Sequence, residues 1–310
     1  MHTREVPLSA IVRAAAASVL ILSVSRSAFP AEPPTVIAAS RARQVLAATR
    51  EVLGGEDALS AVHSVSLEGK LRRRLPGEDG EMEMAGDVRM DALPPDHYLR
   101  VDTVSPLPGM PGIPLATGLD GDEAWSGALP VASAGNLVIR AAPPGDAGAQ
   151  TRLRDRVLRE SALFLVTLLA GAGGAEYAWV GEAEAPEGRA DVLQVTGRGG
   201  LDARLFVDQK THRPLMITFR DSPPRMMVRR EMGPGGHARR DGAPPPEAVS
   251  TPPPPVEATL FLSDWRRVGG VLLPHALNKM LDGKPYEEIV VSRYTVNDPK
   301  LTADRFRKKV

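Results

Sequence analysis

Two periods of apolar residues divide this chain into its elements. Behind Pro33, Pro34 and the N-cap candidate Thr35, the residues Val36, Ile37, Val45, Leu46, Val52 and Leu53 recur near helical spacing until Gly54 and Gly55 stop the run, which predicts an amphipathic helix. The stretch EDALSAVHS adds a short helical turn. The period then drops to two: Val65, Leu67, Gly69 and Leu71 alternate with Ser66, Glu68, Lys70 and Arg72. In EMEMAGDVRMD the alternation is strict, with Met82, Met84, Gly86, Val88 and Met90 on one face and Glu81, Glu83, Asp87 and Arg89 on the other. One face of that strand is apolar and the other meets water. His97 to Asp102 continues the pattern, and TGLDGDEAW places Asp120, Gly121 and Asp122 where a hairpin turn wants them. No helix interrupts these strands, so their pairing is expected to be antiparallel.

Thr151 to Ala170 reads as a second long helix, with a charged first half, RLRDRVLRE, and a second half, SALFLVTLLA, that is apolar nearly all round. A helix end greasy on every side must be covered by protein or ligand. Gly171 ends it, and four strand candidates follow: Tyr177 to Gly181, Asp191 to Thr196, Ala203 to Asp208 and Pro214 to Arg220. Gly233 to Val256 is dense in proline and glycine. Such a segment neither joins a ladder nor packs a core, and it reads as a long mobile loop. Glu257 to Asp264, Val271 to Met280 and Glu287 to Asn297 supply the last strands, turned by VGG and DGKP. The two helices look like additions to one large sheet.

The chain has 310 residues, 43% of them hydrophobic, enough to bury a sizeable core in one domain, expected over residues 32–310. Residues 1–31 have the make-up of an export signal: Arg4 and Arg13, the short apolar run Ala14 to Val24, then Ser25, Ser27, Ala28 and Ala31 around a cleavage site. The expected location is the periplasm, soluble after cleavage. Cysteine is absent, which removes disulfides, thiolate metal sites, cysteine nucleophiles and a lipidated N-terminal cysteine. Export would remove three of the 38 basic and one of the 38 acidic residues, and the near balance that remains offers no field for nucleic acid.

The stretch LFVDQKTHRPLMITF gathers Asp208, Lys210, Thr211 and His212. Pairing Val207 with Leu215, Leu205 with Ile217 and Ala203 with Phe219 makes the intervening residues a connection. Asp208 then closes the turn by accepting backbone N–H groups, and Pro214 opens a strand where a missing donor is tolerated. No nucleophile or metal ligand set accompanies the cluster. The chain also lacks G-x-S-x-G, H-E-x-x-H and P-loop motifs, so no enzyme, cofactor or metal is expected. His63, His97, His212, His237 and His275 lack ligand spacing. GAGGAE follows a helix rather than a strand and reads as its C-cap. Met82, Met84 and Met90 make a soft strand face suited either to a core beneath a helix or to a wall that adapts to a ligand.

The order of LGGEDALSAVHSVSLEGKL, DGDEAW, LFVDQKTHRPLMI, GGVLLPHAL and YTVNDPKLTADRF resembles the outer membrane lipoprotein-sorting (LolA-like) family, from the first helix to Phe306 but without the proline-rich segment. The resemblance implies a mainly β, α+β fold: a strongly curved antiparallel sheet, an incomplete barrel, whose concave apolar face is covered by helices. It also implies a non-catalytic carrier that takes acyl chains of a lipid or lipoprotein. Met82, Met84, Val88, Met90, Leu163, Phe164, Leu168, Leu205, Val207, Leu215, Ile217 and Phe219 are the groove candidates. Two alternatives stand beside the carrier: an envelope interaction or stress-sensor module that binds a protein partner, and, behind it, a periplasmic hydrolase. Arg225 to Gly242 carries five arginines against Glu231 and Asp241, a pattern for transient contact with an anionic membrane surface.

Overall fold

The computed structural model describes residues 36–77, 80–105, 112–129, 147–170, 174–185, 188–222 and 254–308. The expected signal segment, residues 233–253 of the proline-rich segment and the whole arginine-rich stretch lie outside these residues. The elements run α1 (Val36–Leu53), α2 (Glu56–Ser60), β1 (Val65–Gly77), β2 (Gly80–Leu93), β3 (His97–Val104), β4 (Ile113–Asp120) and β5 (Glu123–Ala128). Then come α3 (Ala147–Leu169), β6 (Glu176–Ala185), β7 (Gly188–Gly197), β8 (Leu201–Asp208), β9 (Pro214–Asp221), β10 (Val256–Val268), β11 (Val271–Leu281) and β12 (Lys284–Val296). α3 begins four residues before the start expected from the sequence, and Val256 already belongs to β10.

Among the described residues, twelve strands form one antiparallel sheet in the order β5-β4-β3-β2-β1-β12-β11-β10-β9-β8-β7-β6. Within them β5 and β6 are its two edges, so the barrel is incomplete. The sheet is strongly curved. Nine strand spacings separate β5 from β8, a distance of roughly 40 Å if the sheet were flat, yet α3 touches both. The turn after β7 also reaches the turn after β2: Arg198 donates to the Pro95 carbonyl at 3.0 Å and pairs with Asp96. The sheet therefore wraps around α3, and the face towards the helix is the concave one.

Two inner positions show where the bend crowds the strands. A Cβ on Gly86 would lie 2.1 Å from the Thr103 carbonyl oxygen, and one on Gly69 would lie 2.5 Å from that of Val290, so only glycine fits. At the mouth of the hollow, Gly199 (φ +64) lies against α3, where a Cβ would meet the Asp155 carbonyl oxygen at 2.4 Å and the Arg159 nitrogen at 2.5 Å. The backbone of the 3₁₀ turn Arg198–Gly200 thus packs directly on the helix.

The opposite face carries two apolar clusters, one of Ala190, Val192, Phe206 and Met216 on β7 to β9 and one under the C-terminal segment. Leu301 and Phe306 fold back onto Leu99, Val101, Ala116 and Trp125, and Trp125 Nε1 donates to the Phe306 carbonyl at 2.8 Å. The C-terminal segment of the resembling motif thus covers the outer side of β3 to β5.

Candidate functional site

Period-2 alternation carries one face of every strand into the hollow. On one side Leu67, Leu71, Leu75, Met84, Val88, Met90 and Ile289 pack with Val157, Phe164, Leu165 and Leu168 of α3. On the other, Leu193, Val195, Leu205, Val207, Ile217 and Phe219 pack with Ala42 and Val45 of α1 and with Ala162 and Val166 of α3. The all-round apolar end of α3 is covered because the sheet surrounds it: Leu165, Val166, Leu168 and Leu169 are all buried. Between α3 and the mouth, the cavity lined by Pro95, Leu158, Ser161, Ala162, Leu165 and Arg198 holds only about 10 Å³.

A row of charges interrupts this lining. Arg73 on β1 stands opposite Met84 and Glu287, in the same inner phase as Leu71 and Leu75. Arg100 and Asp102 on β3 pair with Met90 and Val88, also facing in. Arg73 bonds Asp102 at 2.8 Å and also contacts Glu287. Arg100 reaches Asp102 and Glu287 at 2.8 Å each and Glu160 of α3 at 3.6 Å. Tyr98, fully buried, donates its hydroxyl to the same Glu160 oxygen at 3.1 Å. Farther along, Lys279 pairs with Asp221 and lies 5.4 Å over the Phe219 ring and 5.5 Å over that of Tyr286.

The row is a mutually dependent set. Burial alone would raise the Glu287 carboxyl, but Arg100, Arg73 and Lys279 outweigh it and hold it far below the usual carboxylate range. Burial likewise opposes charge on Arg100, and Asp102, Glu287 and Glu160 restore it and push the guanidinium above its ordinary value. Burial, then the negative charge of Glu160, raises the Tyr98 hydroxyl. Tyr286 is pushed up to about 12, chiefly by burial.

Two helices close the hollow, and each is tied by polar contacts. Arg41 of α1 makes a forked pair with the buried Asp191 of β7, whose oxygen Oδ1 also accepts from Trp179 Nε1 at 2.9 Å. At the helix junction Arg50 of α1 donates to the Leu169 and Ala170 carbonyls at 3.2 and 2.9 Å, and to Glu56 of α2. Those carbonyls belong to the end of α3, where a cation is favourable.

Of the twelve residues expected to line the groove, eleven face or border the hollow: Met84, Val88, Met90, Phe164, Leu168, Leu205, Val207, Ile217 and Phe219 buried, Met82 and Leu163 partly buried. Leu215 does not. Ala203 pairs with Phe219 and Leu205 with Ile217 as expected, but Val207 pairs with Pro214, and a register shift follows Phe206. Leu215 is the extra residue of that β-bulge, which turns it outward, 42% exposed. The polar cluster beside it is a turn. Asp208 accepts from the Thr211 nitrogen and hydroxyl at 2.6 and 2.7 Å, and the His212 nitrogen donates to the Asp208 carbonyl. Although burial works the other way, the Thr211 bonds hold the Asp208 carboxyl below its usual value.

The pattern missed Arg73, Arg100, Asp102, Glu160, Lys279 and Glu287. For the five on strands the signal was a charge in the apolar phase, as in Leu67-Gly69-Leu71-Arg73-Leu75, whereas Glu160 lies on α3. Among the described residues no group of three or more His, Asp or Glu side chains is placed to hold a metal ion, and no helix is long and apolar enough to cross a membrane.

No protein-family model matches this chain, and no curated protein matches it either. Among solved structures it is similar to a LolA superfamily protein of Nitrosomonas europaea, with 13% identity over 86% of this chain and 97% of that one, at a TM-score of 0.45. It is similar in the same way to a putative outer membrane lipoprotein-sorting protein domain of Vibrio parahaemolyticus, at 9% identity, 86% and 97% coverage and a TM-score of 0.45. A DUF1329 family protein of Desulfovibrio piger follows at 10% identity, 86% and 97% coverage and a TM-score of 0.39. The first two carry the family name that the motifs resemble. At these scores the likeness adds nothing to what the strand order of the sheet establishes by itself, an open, curved antiparallel sheet closed over its concave face by helices.

Proposed function

We propose that this protein is an exported, non-catalytic carrier that holds acyl chains of a lipid or lipoprotein against the concave face, in the space that α3 fills in the closed state. The observation that supports this most is the character of α3. Its second half is apolar all round and surrounded by the sheet, so a chain of methylenes could replace it with little change in the apolar contacts made. Each methylene removed from water is worth about 0.8 kcal/mol, so a long acyl chain can offset the loss of the polar ties that α3 makes through Gln150, Arg154, Glu160 and its last carbonyls. The inner residues Met84, Val88, Met90, Leu205, Val207 and Ile217 would then touch cargo.

A second reading has one observation in its favour. The closed hollow, with a cavity of about 10 Å³ beside α3, is what an interaction module on the same fold would show, with the apolar face serving as core and a protein partner bound elsewhere. Mass spectrometry of organic extracts from gently purified protein separates the two. Acyl lipid in stoichiometric amount is expected of the carrier. Lipid-free protein that also fails to retain a fluorescent fatty acid refutes it. N-terminal sequencing of envelope-derived protein is expected to begin between Ala28 and Glu32; an intact Met1 in soluble cytoplasmic protein refutes export.

A further inference from the structure

Among the sheet's buried ions, Arg100 is held on three sides, and only one of them belongs to a helix. Its Nε and Nη2 are fixed by Asp102 and Glu287 at 2.8 Å, both carried by the sheet. Its Nη1 faces Glu160 of α3 at the longer distance of 3.6 Å, and the same Glu160 oxygen takes the Tyr98 hydroxyl at 3.1 Å. If α3 leaves, Arg100 keeps its position and its charge, while one guanidinium edge and one fully buried hydroxyl lose their acceptor. That pair is a slot for a single carboxylate oxygen, built by the sheet and stoppered by the helix.

The rest of α3 extends the likeness. Glu160, Phe164 and Leu168 follow at intervals of four and so share one helix face. Phe164 and Leu168 are buried in the apolar side of the hollow, and the Phe164 ring lies 5.7 Å from that of Tyr98. The three span about 12 Å of helix at 1.5 Å per residue, a carboxylate followed by an apolar run. Charge is also matched. Asp102, Glu160, Asp221 and Glu287 stand against Arg73, Arg100 and Lys279, so removing Glu160 neutralises the row, and one carboxylate brought in by a ligand restores the original balance.

We infer that this face of α3 is an internal mimic of the cargo, and that the hollow selects acyl chains bearing a free carboxylate, long-chain fatty acids, by seating the head group on Arg100 and Tyr98 in place of Glu160. The inference rests on the carrier reading. A neutral lipid of equal length gains the apolar contacts but leaves the slot without its acceptor, which weakens its binding by about tenfold or more.

Displacement of a bound fluorescent fatty acid by palmitate and by hexadecanol tests this in four proteins: wild type, Glu160→Gln, Tyr98→Phe and Arg100→Gln. Wild type is expected to prefer palmitate by about tenfold or more. Glu160→Gln, which leaves Arg100 its two sheet carboxylates and so keeps the fold, is expected to bind palmitate about tenfold more tightly and hexadecanol within about threefold of wild type. Tyr98→Phe and Arg100→Gln are expected to lose the preference for the acid, and Tyr98→Phe carries that test should Arg100→Gln fail to fold. Equal displacement by acid and alcohol in wild type and in Glu160→Gln overturns the inference and leaves the carrier reading standing. Absence of binding of both lipids by wild type and by every folded variant overturns both.

Discussion

Replacing Glu287 by glutamine removes the carboxylate on which Arg73, Arg100 and Lys279 all depend. Glu287 is 8% exposed, and its partners Arg73 and Arg100 are 17% and 16% exposed, so the contacts are poorly screened by water. Taking away one member of a buried ionic set leaves its partners uncompensated at a cost of about 3–5 kcal/mol. For a chain of this size each kcal/mol moves Tm by about 2–4 °C, so Glu287→Gln is expected to melt roughly 10 °C below wild type at pH 7. The pH dependence has a definite sign. The Glu287 carboxyl titrates far lower in the folded protein than its ordinary value of 4.5, which holds in the unfolded chain. Above pH 4.5 both states are ionised and the stabilisation is full. As pH falls through that value the unfolded chain takes up the proton first, and the contribution drains away until the folded carboxyl protonates as well. Glutamine has no such proton, so the gap between wild type and Glu287→Gln should narrow between pH 7 and pH 3. Circular dichroism melts of both proteins across that range measure it. A gap under about 2 °C at pH 7, less than one kcal/mol, or a gap as wide at pH 3 as at pH 7, would refute the assignment of the row as a charge-coupled set.

Arg50→Ala strips the end of α3 of its donors to the Leu169 and Ala170 carbonyls; faster hydrogen exchange over residues 160–170 and a loss of about 1.5–3 kcal/mol are expected, and unchanged exchange would show that Arg50 does not latch the helix. Gly199→Ala drives a Cβ into the α3 backbone at a positive φ, and a loss of about 2–5 kcal/mol in chemical denaturation is expected from backbone strain and overpacking together; if α3 yields to cargo, the same substitution raises affinity for an acyl probe, and wild-type stability would show that the contact is not tight. Leu205→Arg buries a charge in a fully enclosed position and is expected to cost several kcal/mol, a large share of the ~5–15 kcal/mol of a whole domain. Leu215→Arg at the exposed bulge is expected to stay within about 0.5 kcal/mol of wild type. Equal melting of the two arginine variants would contradict the register shift after Phe206.

Local chemistry was legible in the sequence wherever a property depends on residues close along the chain. Strict alternation from Glu81 to Met90 fixed which side of β2 faces the core, because a pleated strand gives each side chain one of two faces and no third choice. Gly54 and Gly55, both at positive φ, ended α1, and Asp208 and Thr211 closed their own turn with bonds three residues apart. The tertiary structure alone decided what stands opposite each face. Arg73 meets Asp102 from 29 residues away and Glu287 from 214, and Arg100 meets Glu160 on a helix that the strand pattern does not position. A periodic pattern carries phase but no partner, so a charge in an apolar phase could be seen in the sequence while the ion that satisfies it could not. The bulge that turns Leu215 outward arises from one extra residue in the pairing of two strands, a property of the pair that neither strand holds by itself. The closing of the hollow by α3 likewise needed the curvature of the whole sheet, which accumulates over twelve strands and brings β5 and β8 to the same helix.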